Sequence, residues 1–418
     1  MSNLTPIELI NADLTKLSKN ELLSRAKKYY FRTGISTSGA SKLAQINTAY
    51  GLSKVHFAQF TLGFNPNACF ISTPDQTITR NEYRWDWGCG YGGKWVWGDG
   101  GEKIVFPDPK PNACGMLVGA LNELPNFKET ITKATSLRSH NTEIDGIRIK
   151  WDFEKSNHFI DVFEKLENPY EPTLSDFKYF FVMHSSAPEM KNIYPGIYID
   201  SPVNGVRELY NLCEHVNTPF GECNVLLDDN AKLYYDFCQR ANELSKARRE
   251  VAAEKIFGDY TVISNVNHQC LTPHNMNELL LGAQSTLENC LLPIALNSRS
   301  EMYLMRGKKT FSDEEIEENG WYQRAKSRGL LDVLRNANIM PHGGGYELTD
   351  VIDNSEVIES GNKRYYVCNQ ENTTAPLIFS NPKELEFEYR KTPVVIKAVN
   401  KGMCEKAAVL TPKFVIKF

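Results

Sequence analysis

The chain has 418 residues, 41% of them hydrophobic and 23% charged, the make-up of an ordinary globular protein with room for one large core. Its 47 basic and 51 acidic residues give a net charge of -4, which excludes a globally basic nucleic-acid binder and leaves any polyanion to a local patch. No segment approaches the roughly 20 apolar residues that span a bilayer, so no membrane partner is expected.

The N-terminal MSNLTPIELINADL carries acidic residues and lacks the basic start and apolar run of a secretion signal; a cytoplasmic location is the expectation. Residues 7–30 read as helical, with Leu14, Leu17, Leu22 and Leu23 among polar residues. Residues 85–101, WDWGCGYGGKWVWGDGG, hold seven glycines and four tryptophans. Glycine lets backbone approach a ligand closely. Spaced in twos, Trp85 and Trp87, and Trp95 and Trp97, would each share a strand face; core is the favoured reading and base stacking the other. A short strand over 103–106 stops at the proline-rich 107–111. The apolar runs 159–163 and 180–183 predict strands. Residues 231–256 give the clearest helix, with Phe237, Ala241, Leu244, Val251 and Ala252 near helical spacing. Residues 276–292 predict a second helix, 313–328 a polar surface helix, and 409–418 an extended tail. The mixture predicts an α/β (mixed α+β) fold, with central sheets flanked by helices. No linker divides the chain, so residues 1–418 are read as one domain.

Ten scattered cysteines with no CxxC pair are too dilute for a disulfide framework; most read as buried thiols. Cys89 lies in Asp86-Trp87-Gly88-Cys89-Gly90 and Cys114 in Asn112-Ala113-Cys114-Gly115-Met116. Each is either a small buried thiol or a soft metal ligand. Cys89 is the better ligand candidate, because Asp86 could share its ion. Four of the eight histidines sit where an apolar run meets a small-residue or turn segment: His158, His184, His268 and His342. Such a histidine can present a ring nitrogen to a metal or phosphate. His56, His140, His215 and His274 read as structural. In His342-Gly343-Gly344-Gly345, successive backbone N–H groups can form an anion-binding nest, beside which a histidine could attack phosphorus. A plain glycine turn after Pro341 is the equal alternative.

Taken in order, these segments resemble the RtcB family of RNA-splicing ligases over residues 86–418, residues 1–85 matching nothing. Asp86-Trp87-Gly88-Cys89-Gly90 resembles the family's Asp-Ile-Gly-Cys-Gly. Ser156-Asn157-His158-Phe159-Ile160-Asp161 resembles Gly-Asn-His-Phe-(Ile/Leu)-Glu, and Met183-His184-Ser185 the His-Ser-Gly-Ser-Arg segment. Asn267-His268-Gln269 resembles the family's His-Asn pair and is preferred to the rival His274-Asn275. Met305-Arg306-Gly307-Lys308 is a scrambled echo of Arg-Lys-Gly-Ala. His342-Gly343-Gly344-Gly345 is similar to His-Gly-Ala-Gly, whose histidine becomes guanylylated, and Val415-Ile416-Lys417-Phe418 to the family's C-terminus.

The resemblance implies a GTP-dependent RNA ligase that joins 2',3'-cyclic phosphate or 3'-phosphate ends to 5'-hydroxyl ends. It implies Asp86, Cys89, His158, His184 and His268 as ligands of one or two Mn²⁺ ions, zinc also suiting the donors. It implies His342 as nucleophile on GTP, and Asn157, Asp161, Gly343, Gly344, Gly345 and Lys417, with Gln269 as a weaker candidate, as nucleotide contacts. Arg248, Arg249, Arg306, Lys308 and Lys309 are candidates for RNA phosphates, and an accessory activating protein is a further partner. The departures are specific. Tyr346 replaces an arginine, and no arginine follows His184. No Pro-Gly-Ser segment lies between Arg306 and His342, and no Asp-x-His-x-Gly-x-Gly lies upstream of Asp86. They leave two alternatives open: a catalytically degenerate homologue that binds RNA or a partner, or a metal-dependent phosphohydrolase or nucleotidyltransferase on the same scaffold.

Overall fold

The structure, a computed structural model, describes residues 6–154, 157–166, 170–199, 207–309, 311–361, 363–371 and 373–416. It is a mixed α/β fold built on two main sheets. The larger is seven-stranded and antiparallel. Its spatial order is Thr261–Asn267, Gly115–Leu121, Tyr179–Ser185, Phe159–Lys165, Cys404–Ile416, Met302–Gly307 and Leu291–Ala295. Alternation explains how one apolar run serves two cores, since successive strand residues face opposite sides. Met116, Val118, Phe180 and Val182 enter one buried cluster, while Leu117, Phe181 and Met183 enter the other. The second cluster is roofed by Ala252, Ala253 and Ile256 of the helix Asp228–Phe257. That helix begins on Asp228 and Asp229, acids suited to its positive end, and stops at Gly258 with φ +73.

The second sheet has the order Tyr30–Phe31, Cys69–Thr77, Tyr91–Val96, Asn275–Leu281 and Gln269–Thr272. Against it lies the helix Gly39–Thr61, capped by Ser38 accepting from the Ser41 N–H. This helix is buried along most of its length, which accounts for its small and apolar residues on every side. Trp85, Trp87, Trp95 and Trp97 are all buried, so the tryptophan-rich segment is core, not a base-stacking surface. A small sheet of Val351–Ser360, Lys363–Gln370 and Leu377–Phe379 packs through Tyr366 and Cys368 onto the same helix.

Three expectations are corrected. Residues 276–292 form no helix; they belong to the strands Asn275–Leu281, Ala283–Ser285 and Leu291–Ala295. Leu279, Leu280 and Leu281 are all buried, and a run buried on both faces reads like a helix. Gly282, at φ +75, turns the chain between two of these strands. A Cβ on Gly282 would sit 2.5 Å from the Tyr91 ring in a backbone region costly for L-residues. Gly282→Ala is therefore expected to lose at least about 1–3 kcal/mol in urea unfolding. Residues 313–328 divide at Gly320, φ +68, into helices Asp313–Glu318 and Tyr322–Lys326. Residues 7–30 are likewise divided. Ser18 and Glu21 form a capping box that starts Lys19–Ala26 afresh after Pro6–Ile10 and a short turn at Leu14–Lys16. The tail prediction holds as Cys404–Ile416, with Pro412 at a register shift; Lys417 lies outside the described residues.

Candidate metal and nucleophile site

One end of the seven-stranded sheet gathers three of the predicted histidines and Cys114. Antiparallel order brings the end of Thr261–Asn267, the start of Gly115–Leu121, the end of Tyr179–Ser185 and the start of Phe159–Lys165 to the same edge. His268, Cys114, His184 and His158 stand at those positions. The register couples them: Gly115 pairs with both Ser185 and Asn267, His184 with Phe159, and the His268 N–H donates to the Cys114 carbonyl at 2.8 Å.

The Cys114 Sγ lies 2.8 Å from His184 Nε2 and 3.5 Å from His158 Nε2, and His184 Nε2 lies 3.2 Å from His268 Nε2. The ligand atoms of Cys114, His184 and His268 all fall within 4.8 Å of one another, and all three residues are buried. Such a group can hold a metal ion. One soft sulfur and two imidazole nitrogens fit a borderline transition metal. Backbone carbonyls settle the ring faces. His184 Nδ1–H donates to Asn157 O at 3.1 Å, leaving its Nε2 lone pair toward the group, and His158 Nδ1–H donates to Asp152 O at 2.9 Å. Burial, and then neighbouring cationic or potentially cationic groups, push His184 and His268 well below the usual histidine range, which suits neutral ligands. Burial opposes a charge on His158 too, but the Cys114 sulfur and Asp152 outweigh it and raise that ring to about 10.

A buried ionic scaffold stands behind the cluster. Arg248 and Arg249, read as candidates for RNA phosphates, are fully buried on the helix Asp228–Phe257 and face inward. Arg248 pairs with Asp152 at 2.9 Å, and Asp152 accepts from the Ser186 hydroxyl at 2.7 Å. Burial works to raise the Asp152 carboxyl, but Arg248 and then His158 hold it well below the usual range. Arg249 grips Asn265 at 2.8 Å and Asn267 at 2.7 Å, fixing the strand before His268. Arg248→Met should strand Asp152 and Glu189 without their cation, a loss of about 3–5 kcal/mol by chemical unfolding. Arg306 and Lys308 are exposed but paired with Glu171 and Glu405, and Lys309 is exposed.

His342 joins the cluster from another direction. Its ring lies 4.6 Å from that of His268, and its Nδ1 is 2.7 Å from Asp75 Oδ2. Asp75 is buried in the strand Cys69–Thr77 and held by the Thr73 hydroxyl at 2.6 Å. With Nδ1–H donated to Asp75, the lone pair of His342 is on Nε2. The same carboxylate oxygen accepts the backbone N–H of His342 at 3.1 Å and of Gly343 at 3.2 Å. The anticipated nest is thus partly filled from within. The glycines also have a packing reason: a Cβ would meet Ala295 O at 2.8 Å from Gly343, Arg390 O at 2.4 Å from Gly344 and Asp75 O at 2.1 Å from Gly345.

Two cavities open on the cluster. One, of about 160 Å³, is lined by Asn157, Asp161, His184, His342, Gly343, Gly344, Gly345 and Tyr346. The other, of about 360 Å³, reaches Cys114 and His158 and is lined by Arg80, Arg84 and Lys191. Tyr91, Asn157 and Tyr346 border both.

Two predicted ligands lie elsewhere. The helix Glu82–Trp87, which carries Asp86, ends at Gly88, φ +102. Asp86 is exposed on a separate cavity with Lys54 and Arg364. Cys89 is buried beside Arg84, Asp108 and Lys54, and burial pushes its thiol up. Cys114 takes the sulfur position instead. His274 is exposed and outside the group, whereas His268 is in it. Gln269 donates to the Tyr91 hydroxyl at 2.9 Å, beside the second cavity. Asp75 and Asp152 escaped the sequence reading. The signal for Asp75 was a carboxylate inside a strand whose every residue is buried. Neither models of known protein families nor curated proteins give a match to this chain.

Proposed function

We propose that this chain is a metal- and GTP-dependent RNA ligase of the RtcB type, joining 3'-phosphate or 2',3'-cyclic phosphate ends to 5'-hydroxyl ends. The observation that carries the reading is the seating of His342. An imidazole oriented by a buried carboxylate stands 4.6 Å from a ring of a Cys/His/His group and lines the smaller cavity. Orientation by Asp75 gives Nε2 the role of nucleophile and stabilises the positive ring that forms on attack. The ligand set is Cys114, His184 and His268, with His158 beside Cys114. An ion held there, manganese by the family resemblance, would polarise phosphate oxygens and offset charge in transfer.

The chemistry assigned to the chain's own residues is as follows. His342 Nε2 attacks the α-phosphorus of GTP, forming a P–N bond as pyrophosphate leaves. GMP then passes to an RNA 3'-phosphate, which a cyclic end supplies once water has opened the 2',3' ring, and the 5'-hydroxyl displaces GMP to close the strand. Asn157, Asp161, Gly344 and Gly345 border the smaller cavity and are the nucleotide contacts of this reading. Arg80, Arg84 and Lys191 line the larger cavity and replace Arg248 and Arg249 as the cations for RNA phosphate. The test is incubation with labelled GTP and Mn²⁺, with ATP in parallel. An acid-labile, base-stable protein label supports the reading, and no label with either nucleotide under any metal sinks it.

Asp75→Asn gives a second check. The amide keeps the shape but removes the charge behind the ring, so labelling should slow by roughly 10²–10⁴-fold. Unchanged labelling would detach Asp75 from the chemistry.

A further inference from the structure

A third cavity, of about 420 Å³, shares no lining residue with the two at the cluster. It lies where the helix Gly39–Thr61, the turn at Pro219, Phe220 and Gly221, and the sheet strands around Glu359 and Lys363 meet. Its lining includes Lys19, Lys54, Lys363 and Arg364 against two carboxylates, Asp86 and Glu359.

Lys54 is the unusual member. It is only 5% exposed, yet among the described residues its ammonium makes no hydrogen bond or ion pair. It lies over the face of Trp87, 5.7 Å from the ring centroid. A buried ammonium without an acceptor is costly, and the cavity is the direction in which one can arrive. Gly221, at φ +101, borders the ammonium: a Cβ there would lie 3.7 Å from Lys54 Nζ. Arg364 is already shaped for the role. Its guanidinium stacks 4.4 Å over the Tyr50 ring and donates to the carbonyls of Trp85 and Asp86, which fixes its plane. Glu359 is engaged by Lys19, so its charge is answered within the cavity wall. The four cations exceed the two carboxylates by two, the charge of a phosphate dianion.

We propose that this cavity binds a phosphate dianion, either free or as the terminal phosphate of a mononucleotide, with Lys54 and Arg364 as its principal contacts. The site is independent of the ligase reading, because none of its residues approaches the cluster.

The experiment is calorimetric titration of inorganic phosphate, and separately of AMP, into the full chain as purified and into Lys54→Met, Lys363→Gln and Cys114→Ala. Lys54→Met removes the charge and keeps the buried stem, and a circular-dichroism melt checks its fold. Lys363→Gln changes an exposed side chain and covers the case of a misfolded Lys54 variant. Expected is binding that weakens at least about tenfold in Lys54→Met, weakens measurably in Lys363→Gln and is unchanged in Cys114→Ala. AMP binding more tightly than phosphate assigns the nucleotide-borne group; equal binding assigns the bare anion. Binding absent for both probes, unaffected at Lys54 and Lys363, or lost in Cys114→Ala overturns the proposal.

Discussion

His342→Ala is expected to leave the protein with no covalent guanylyl label under conditions where wild type labels. The ring nitrogen at the cavity mouth is the proposed nucleophile, and alanine offers none. The fold should tolerate the change, since the His342 and Gly343 backbone N–H groups still donate to Asp75 at 3.1 and 3.2 Å. A thermal melt within a few degrees of wild type, together with complete loss of label, separates chemistry from folding. Retained label on the variant would move the nucleophile elsewhere and remove the support for ligation.

Cys114→Ala is expected to strip the metal, and Cys89→Ala to keep it. Each removes one buried thiol, so the comparison tests which sulfur is the ligand. Changing an outer-sphere partner typically weakens a metal site roughly 10–100-fold, and loss of a ligand should exceed that. Metal analysis after dialysis against Mn²⁺ or Zn²⁺ reads the result directly. Equal metal content in both variants would remove Cys114 from the ligand set. Cys89→Ala should still cost stability through its cavity, which unfolding, not metal content, would record.

Much of the architecture was readable because apolar runs have length and period. The strand that follows His158, the strand that bears His184 and the long helix over Asp228–Phe257 followed from pattern alone. The histidine quartet was readable as well, each residue ending or beginning such a run. The sulfur ligand was not. Asp86 drew attention to Cys89, whereas Cys114 owes its position to strand register, which pairs Gly115 with Ser185 and with Asn267. Asp75 was hidden for a related reason: its partner is 267 positions away, and only the folded chain joins them. The paired arginines were misread because charge suggests a surface, and only tertiary packing shows a guanidinium buried against a carboxylate.

The three candidate ligands stand at the ends of three strands that are neighbours in space but scattered along the chain. A nascent or fragmented polypeptide therefore has no half-site worth the name. Residue 268 must be made and paired before three donors can converge. Loading would then be a late event in maturation, and an ion bound there would tie the ends of Thr261–Asn267, Gly115–Leu121 and Tyr179–Ser185 together. The metal would act as a checkpoint on assembly as well as a reagent, protecting that sheet edge from local opening in proportion to its occupancy.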